Sequence, residues 1–214
     1  MLAGRLLWRN LKVNKLIIVG AGGHGKVVYD VAESMGVFSE IYFLDDDRLL
    51  LGDFYKSKVI GSSREVNRYL NDYGFIVAIG DNAIREKILL ELKSIDATIE
   101  VLVHSKALIS STVNIGVGTV VMPNVIINAD SKIGRGVILN TASVVEHDCR
   151  VGDFCHISPN ATICGIVNIG KNSWVGAGAT VINNLNICDE VTIGAGSVVL
   201  RTLNKSGTYV GVVK

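Results

Sequence analysis

The chain has 214 residues, and its hydrophobic content of 49% is enough for one large domain or two small ones with a buried core. Its 21 basic and 20 acidic residues leave a formal charge of +1, which excludes a general electrostatic attraction to nucleic acid or to a membrane surface. The sequence contains no run of about 20 apolar residues, so we predict a cytoplasmic protein. For residues 1–14 an extra helix and an upstream start codon both stay open, and we assign them no function.

Residues 15–103 alternate short apolar runs with helical patterns, which is typical of a parallel sheet covered by helices. The predicted strands are KLIIVG, IYFLD and FIVAIG, and the predicted helices are KVVYDVAESMG, SREVNRYLNDY and NAIREKILLELKS. We therefore predict an α/β, Rossmann-like domain over residues 15–103. About three strands are too few for a complete two-half dinucleotide-binding fold.

A strict repeat begins at Ala107. From there to Thr202 the sequence divides into 16 blocks of six residues without an insertion, and the third residue of every block is Ile, Val or Leu. A six-residue period matches the hexapeptide class of parallel β-helix, in which three blocks form one coil of about 18 residues. The third residue points inward beside a small first residue, while Gly at the fourth position and Asn or Asp at block ends suit corners. We predict a β-helix over residues 107–202 and a C-terminal tail over 203–214.

The four cysteines have neither zinc-finger nor CxxC spacing, and a reducing compartment would keep them as thiols. Cys149 and Cys155 both occupy the first position of a block, where a small side chain fits inside the coil. We interpret them as packing residues, and we predict no metal site.

Five motifs in combination carry a resemblance to a known family. They are IVGAGGHG, FLDD and AIGDNAIR in the first domain, and VILNTASVVEHD and CHISPNATICG in the coil. This combination resembles the sugar acetyltransferases of the sialic-acid O-acetyltransferase type, in particular the N-acetyltransferases acting on nucleotide-linked 4-amino-4,6-dideoxy sugars. The resemblance implies a left-handed coil, acetyl-CoA as co-substrate, a nucleotide-linked amino sugar as substrate, and a homotrimer.

The stretch VVEHDC places three polar residues in a row within this monotonous repeat. Val145 is expected to point into the coil, so the next three residues turn a corner and face outward. An amine that attacks a thioester must lose a proton, and a histidine, whose ordinary pKa is near neutrality, suits that task. We predict that His147 is the general base. The family pattern implies that Asp148 supports it, because a carboxylate on the other ring nitrogen favours the imidazolium. Glu146 is interpreted as an ordinary corner residue.

The resemblance also implies roles around acetyl-CoA. His156 corresponds to the family histidine that approaches the acetyl group, where a ring N–H could stabilise the growing negative charge on the carbonyl oxygen. A backbone N–H at Gly165 is a second candidate donor. Ala177 and Ala195 would contact the coenzyme through backbone groups.

In the first domain, GAGGHG and the aspartates after the second strand superficially match a dinucleotide fingerprint. In the resembled family the same loops bind the nucleotide sugar. Asn140 is predicted to reach the sugar, with corner capping as an equal alternative, and Arg85 to offset phosphate charge or form a surface salt bridge. His104 is interpreted as structural. The predicted substrate-binding residues are Gly22, Gly23, His24, Asp45, Asp46, Gly80 and Asn140.

We predict direct transfer of an acetyl group to the 4-amino group of a nucleotide-linked sugar, with UDP as the expected nucleotide. The alternatives are a GDP- or dTDP-linked substrate, O-acetylation of sialic acid, and a noncatalytic nucleotide-sugar sensor. His147 and His156 are nine residues apart, which is about half of one coil. Two histidines so placed are not expected to reach one acetyl group within one subunit. If both serve one reaction, they are expected to come from neighbouring subunits of a homotrimer.

Overall fold

The computed structural model describes residues 13–214, so most of the segment for which an extra helix was considered lies outside the described residues. The first domain is a five-stranded sheet in the order β3-β4-β2-β1-β5, in which β3 alone is antiparallel to its neighbour. Apolar residues of β1, β2 and β5 fill its interior, and β1 and β5 are the most deeply buried of the five strands. The strands are β1 (Lys15–Val19), β2 (Glu40–Leu44), β3 (Gly52–Phe54), β4 (Ser57–Val59) and β5 (Gly74–Val77).

Two α-helices cover this sheet, α1 (Gly23–Met35) and α2 (Asn82–Ser94). The third predicted helix, SREVNRYLNDY, is wrong, because only Ser63–Arg68 is helical and its geometry is 3₁₀. Its backbone closes through bonds to the third residue back, such as Tyr69 N–H to the Val66 carbonyl at 2.9 Å. Asn and Asp, which compete with the helical backbone through their side chains, are frequent in this stretch. The β3–β4 hairpin was not predicted.

The second part is a parallel β-helix built from three sheets. Each strand from β6 to β19 pairs with the strand one coil later, as Ile126 does with Val144. The coil strands are β6 (Leu102–Val103), β7 (Leu108–Ile109), β8 (Asn114–Ile115), β9 (Val120–Val121), β10 (Ile126–Ile127), β11 (Lys132–Ile133), β12 (Ile138–Leu139), β13 (Val144–Val145), β14 (Arg150–Val151), β15 (His156–Ile157), β16 (Thr162–Ile163), β17 (Asn168–Ile169), β18 (Trp174–Val175), β19 (Thr180–Val181), β20 (Asn186–Ile187), β21 (Val191–Ile193), β22 (Val198–Val199), β23 (Gly207–Tyr209) and β24 (Val212–Val213).

The corners of the coil obey a conformational rule that the sequence shows only in part. The sixth residue of every block from Gly118 to Gly196 has positive φ, including Ile166, for which this conformation is rare. Glycine at the fourth position was expected to provide tight or left-handed backbone angles, but the structure gives a different reason for it. A Cβ at Gly134 or Gly152 would lie within 2.7 Å of a backbone atom in the next coil, so these glycines allow close stacking of the coils.

The coil extends beyond the predicted range at both ends. Strand β6 pairs with β9 and so belongs to the coil ahead of Ala107. Residues 203–214 add a final incomplete coil, in which β23 pairs with β21 and β24 with β22. Val199 pairs with Val213, so this last turn contains fewer residues than the others. A six-residue pattern cannot reveal a turn that has lost the six-residue spacing.

Aliphatic side chains fill the coil, and one continuous hydrophobic core joins it to the α1 side of the first domain. Cys149 and Cys155 are fully buried within it, as predicted. Burial raises the pKa of the Cys155 thiol to about 12, so this thiol is unreactive at neutral pH. Among residues 13–214, no helix combines the length and the apolar character needed to cross a membrane.

Candidate active site

His147 lies at the fifth position of its block, on the corner between β13 and β14. Its Nδ1 is 2.8 Å from Oδ2 of Asp148, and the two side chains are 55% and 57% exposed. Asp148 has a φ of 58°, the left-handed conformation shared by all the block ends around it. The backbone N–H of Asp148 donates to the Ala129 carbonyl at 2.9 Å, which ties the corner to the previous coil. Because Nδ1 is bonded to Asp148, Nε2 is the ring nitrogen of His147 left for another partner.

Glu146 is turned away from this pair. Its Oε2 accepts from the side-chain amide of Asn128, one coil earlier, at 2.9 Å, and its backbone carbonyl accepts from Ser131 Oγ at 2.6 Å. These bonds agree with its interpretation as an ordinary corner residue.

His156 lies on β15, with its ring half-buried against the aromatic face of Trp174. The two ring centroids are 5.4 Å apart and the planes differ by 9°, while the Trp174 indole N–H donates to Ser158 Oγ at 2.7 Å. Burial, with smaller contributions from Arg85 and His24, lowers the pKa of His156 to about 4. The imidazole is therefore neutral at neutral pH, with one ring nitrogen protonated.

Asn140 determines which nitrogen of His156 carries that proton. Its Oδ1 accepts from the backbone N–H of Thr141 at 2.8 Å, so its Nδ2 is the atom 3.1 Å from His156 Nε2. An amide NH₂ only donates, which makes Nε2 the acceptor and leaves the proton on Nδ1. Nδ1 is buried and has no hydrogen-bond partner among residues 13–214. His156 thus carries an N–H donor that no described residue uses.

The glycine loop of the first domain leads into α1. Gly22 and Gly23 are exposed and face open space, and no side chain caps the helix N-terminus. Asp45 holds the loop in place, since its Oδ2 accepts from the Ala21 N–H at 2.6 Å and its Oδ1 from the Asp47 N–H at 2.9 Å. This carboxylate is thus occupied by the backbone, unlike the ribose-binding acid of a dinucleotide fingerprint.

Asp46 binds the N-terminal end of the 3₁₀ helix. Its Oδ1 accepts from Ser62 Oγ, Ser63 N–H and Ser63 Oγ at 2.8 to 2.9 Å, and these bonds hold its pKa below the usual value. Gly80 follows β5 and is exposed at the same edge of the sheet as the glycine loop. Both residues therefore lie at the carboxyl ends of the parallel strands.

His24 lies in the first turn of α1, directly after the glycine loop. Its Nε2 is buried without a hydrogen-bond partner in the described part of the chain, and burial, reinforced by the charge of Arg85, lowers its pKa to about 4. Burial and the charge of Arg85 lower the pKa of His156 as well, and His24 makes a smaller contribution to that lowering.

Arg85 corrects both predictions made from the sequence, because it neither faces an open phosphate site nor lies on the helix surface. It is 1% exposed, and burial lowers its pKa to about 10, so it stays charged at neutral pH. Its guanidinium donates only to uncharged oxygens of both domains. These are the carbonyls of Gly136 and Phe154 at 2.7 Å, of Ile79 and Gly80 at 3.0 Å and of Cys155 at 3.4 Å, and Asn82 Oδ1 at 2.7 Å.

The helix carrying Arg85 makes further contacts to the coil. Asn82 Nδ2 donates to the carbonyls of Asn172 and Ser173 at 3.2 and 3.3 Å, and Asn172 Nδ2 donates to Glu86 Oε2 at 2.7 Å. With Arg85, these residues form the polar contact between α2 and the coil. Sequence reasoning missed them, since no spacing rule marks a helix residue that bonds to a distant corner.

Comparisons with known proteins connect this geometry to a family. Residues 15–92 match the PglD N-terminal domain, and residues 130–165 match the bacterial transferase hexapeptide repeats. The acetyltransferase domain of PglB from Neisseria gonorrhoeae, in complex with acetyl coenzyme A, is 38% identical, with a TM-score of 0.90 over 93% of this chain and 97% of that domain. The chain belongs to the acetyl-CoA-dependent sugar N-acetyltransferases.

Two further relatives of this acetyltransferase differ in the nucleotide that their names specify. PerB from Caulobacter crescentus, in complex with CoA and GDP-perosamine, is 34% identical, with a TM-score of 0.87 over 94% of this chain and 96% of that one. The UDP-N-acetylbacillosamine N-acetyltransferase of Bacillus subtilis (strain 168) is 34% identical over 113 residues. That match spans about half of each protein, 51% of this chain and 52% of the relative.

The comparisons confirm the predicted family and the fold class of an α/β domain followed by a left-handed parallel β-helix. Within one chain of this acetyltransferase, the predicted residues described below lie in three separate places. Asn140 is bonded to His156 on the coil, and the pKa of His156 is lowered in part by Arg85 of α2 and His24 of α1. His147 and Asp148 lie on another corner, and β13 and β15 belong to different sheets. Ala177 and Ala195 are exposed and stacked one coil apart on the corner that follows β18 and β21.

Proposed function

We propose that this protein transfers the acetyl group of acetyl-CoA to the 4-amino group of a UDP-linked 4-amino-4,6-dideoxy sugar. The observation that carries the proposal is the exposed His147–Asp148 pair, whose Nδ1–Oδ2 bond directs Nε2 outward as a proton acceptor. Relatives with this architecture are named as N-acetyltransferases of sugars linked to UDP or GDP. The choice of UDP rests on the resemblance to the bacillosamine enzymes.

In the proposed reaction His147 Nε2 removes a proton from the amine as the amine nitrogen attacks the thioester carbon. The new C–N bond forms while the carbonyl electrons move to the oxygen, and the tetrahedral intermediate collapses by expelling the CoA sulfur. The proton held by His147 then passes to this leaving thiolate. The transfer is direct, with no acyl-enzyme, which agrees with thiols whose pKa is raised by burial at Cys149 and Cys155.

The acetyl carbonyl is assigned to His156. Its Nδ1–H, set by Asn140 and left without a partner in residues 13–214, would donate to the oxygen that becomes negative. The backbone N–H of Gly165 is proposed as a second donor, and Ala177 and Ala195 as coenzyme contacts. Both ends of the Asn140 amide are already bonded inside the chain, so we assign Asn140 to the control of His156 rather than to direct sugar binding.

The nucleotide sugar is assigned to the first domain. The uncapped N-terminus of α1, at Gly22 and Gly23, would face the phosphates, since helix N-termini carry partial positive charge. His24 Nε2 lacks a partner within the described chain and would meet the same ligand. Asp46 and Gly80 would border the nucleotide, while Asp45 acts by holding the loop. The described cysteines are all free thiols, which fits a cytoplasmic enzyme.

A panel of substrates tests this function. Acetyl-CoA is combined with UDP-, GDP- and dTDP-linked 4-amino sugars and with free sialic acid, and release of free thiol is followed. We expect thiol release with the UDP-linked sugar and none with sialic acid. Turnover of the GDP- or dTDP-linked sugar alone would show that the proposed nucleotide, UDP, is wrong. Turnover of sialic acid alone would show that the enzyme is an O-acetyltransferase and not an N-acetyltransferase. Calorimetric binding of a nucleotide sugar without any turnover would support a sensor.

We further propose that the enzyme is a homotrimer with each active site between two coils. His147 and His156 lie on different faces of the coil, so a second subunit must bring them together. One of the three sheets of the coil, in the order β24-β22-β19-β16-β13-β10-β7, offers a surface for this contact. Its outward row is apolar at both ends, with Leu108 and Val212 66% and 61% exposed.

Subunit mixing tests the shared site. His147→Ala and His156→Ala proteins, each of low activity, are dissociated, mixed in equal amounts and reassembled. After random mixing, about a quarter of the sites should contain both His147 and His156. Turnover should therefore recover to about a quarter of the wild-type value. Confirmed mixed trimers without recovered activity, or an active monomer in light scattering, would exclude the shared site.

A further inference from the structure

Gly165 lies against the imidazole of His147 and leaves no room for a side chain. The two residues are one coil apart, at the fifth position of their blocks. A Cβ placed on Gly165 would be 2.6 Å from Nε2 of His147, 2.8 Å from Cε1 and 3.2 Å from Cδ2. Real Cβ atoms do not approach other atoms within 3.0 Å, so a side chain here requires the ring to move.

The backbone gives no other reason for glycine at this position. Gly165 is outside the set of residues with positive φ, and a Cβ on it would meet the ring of His147 before any backbone atom. The same corner position is Ala129 in an earlier coil and Asn183 in the next one, so the coil accepts a Cβ there. The glycine is specific to the coil that follows His147.

The nitrogen that Gly165 faces is the one that the mechanism uses. Nδ1 of His147 is bonded to Asp148, which leaves Nε2 as the free ring nitrogen. We infer that Gly165 is a positioning residue for the general base, giving the imidazole the space that directs Nε2 toward the substrate amine. This role is distinct from hydrogen bonding by the Gly165 backbone N–H, and it rests on the proposed function of His147.

The test is Gly165→Ala, with Asn183→Ala as the matched control on the same column of corners. The imidazole can rotate away from a methyl group, so the fold should persist with an unchanged unfolding midpoint. The displaced base should lower kcat by about 10²-fold, because misplacement of a reacting group by about 1 Å has effects of that size. The KM values for acetyl-CoA and nucleotide sugar should stay within about twofold of wild type, since neither contact is removed. The control should retain wild-type kcat.

A double-mutant cycle separates this role from its alternatives. If Gly165→Ala acts through His147, it should have no further effect on kcat in a His147→Ala background. An equal loss in both backgrounds would show that Gly165 acts independently of His147 and would overturn the positioning role. Wild-type kcat for Gly165→Ala, beside an inactive His147→Ala, would overturn it as well. Wild-type kcat for His147→Ala would instead remove His147 as the base and the inference with it.

Discussion

Replacing His147 with alanine should lower kcat by on the order of 10² to 10⁴, the range that general-base catalysis usually contributes. The side chain is exposed on a corner, and its ring bonds only to Asp148 among the described residues, so the coil should fold as in wild type. The measurement is free-thiol release at saturating substrates, with circular dichroism to verify the fold.

His104→Ala provides the control for this experiment. His104 lies in the first coil, between β6 and β7, on a different corner from His147, and its Nδ1 accepts from the Lys106 backbone N–H at 3.0 Å. Its loss should leave kcat unchanged. A His147→Ala protein that turns over like wild type would show that another group accepts the amine proton.

Replacing Arg85 with methionine should reduce the free energy of unfolding by about 3 kcal/mol, because buried carbonyls lose their donors and each such loss costs about 1–3 kcal/mol. The carbonyls belong to both domains, at residues 79, 80, 136 and 154, so the change also weakens their attachment. Urea unfolding at fixed protein concentration measures the effect.

Lys87→Met is the matched control on the same helix. Lys87 is 77% exposed and pairs with Glu91 only at 4.0 Å, so its replacement should change the unfolding free energy by less than about 0.5 kcal/mol. Equal stability of Arg85→Met and wild type would mean that water satisfies the carbonyls as well as the guanidinium does. The charge of Arg85 also lowers the pKa of His24 and His156, so both values should rise in Arg85→Met.

The coil could be predicted from the sequence because a repeat of six residues is typical of a parallel β-helix. The aliphatic third position of each block indicates which side chains point inward. The exposed position of His147 and Asp148 could be predicted for a related reason, since polar residues interrupting such a pattern must face outward. The positive φ at Phe154 and Ile166 was not predictable from residue type. It follows from the position in the block, which overrides the preference of these side chains.

The rest of the site depends on contacts that no local pattern contains. Asn140 meets His156 because the strands of successive coils stack, but the direction of the amide depends on the bond to Thr141. In the sequence Arg85 is indistinguishable from an ordinary helix residue, and only the folded structure shows that its guanidinium donates to carbonyls of the coil. Asp45 matches a nucleotide-binding pattern, yet its oxygens bind the backbone of its own loop. Tertiary structure, rather than residue type, decides each of these roles.

The pairing of each coil strand with the strand one coil later has a consequence for how this protein can change in length. An insertion of one whole coil between β15 and the C-terminus would leave each downstream strand on its own sheet and every exposed face intact. An insertion of a single block would move all downstream strands to the neighbouring sheet, turning Ala177 and Ala195 to another side of the coil. Insertions that lengthen the coil should therefore be tolerated in steps of three blocks, because only these keep every downstream strand on its own sheet.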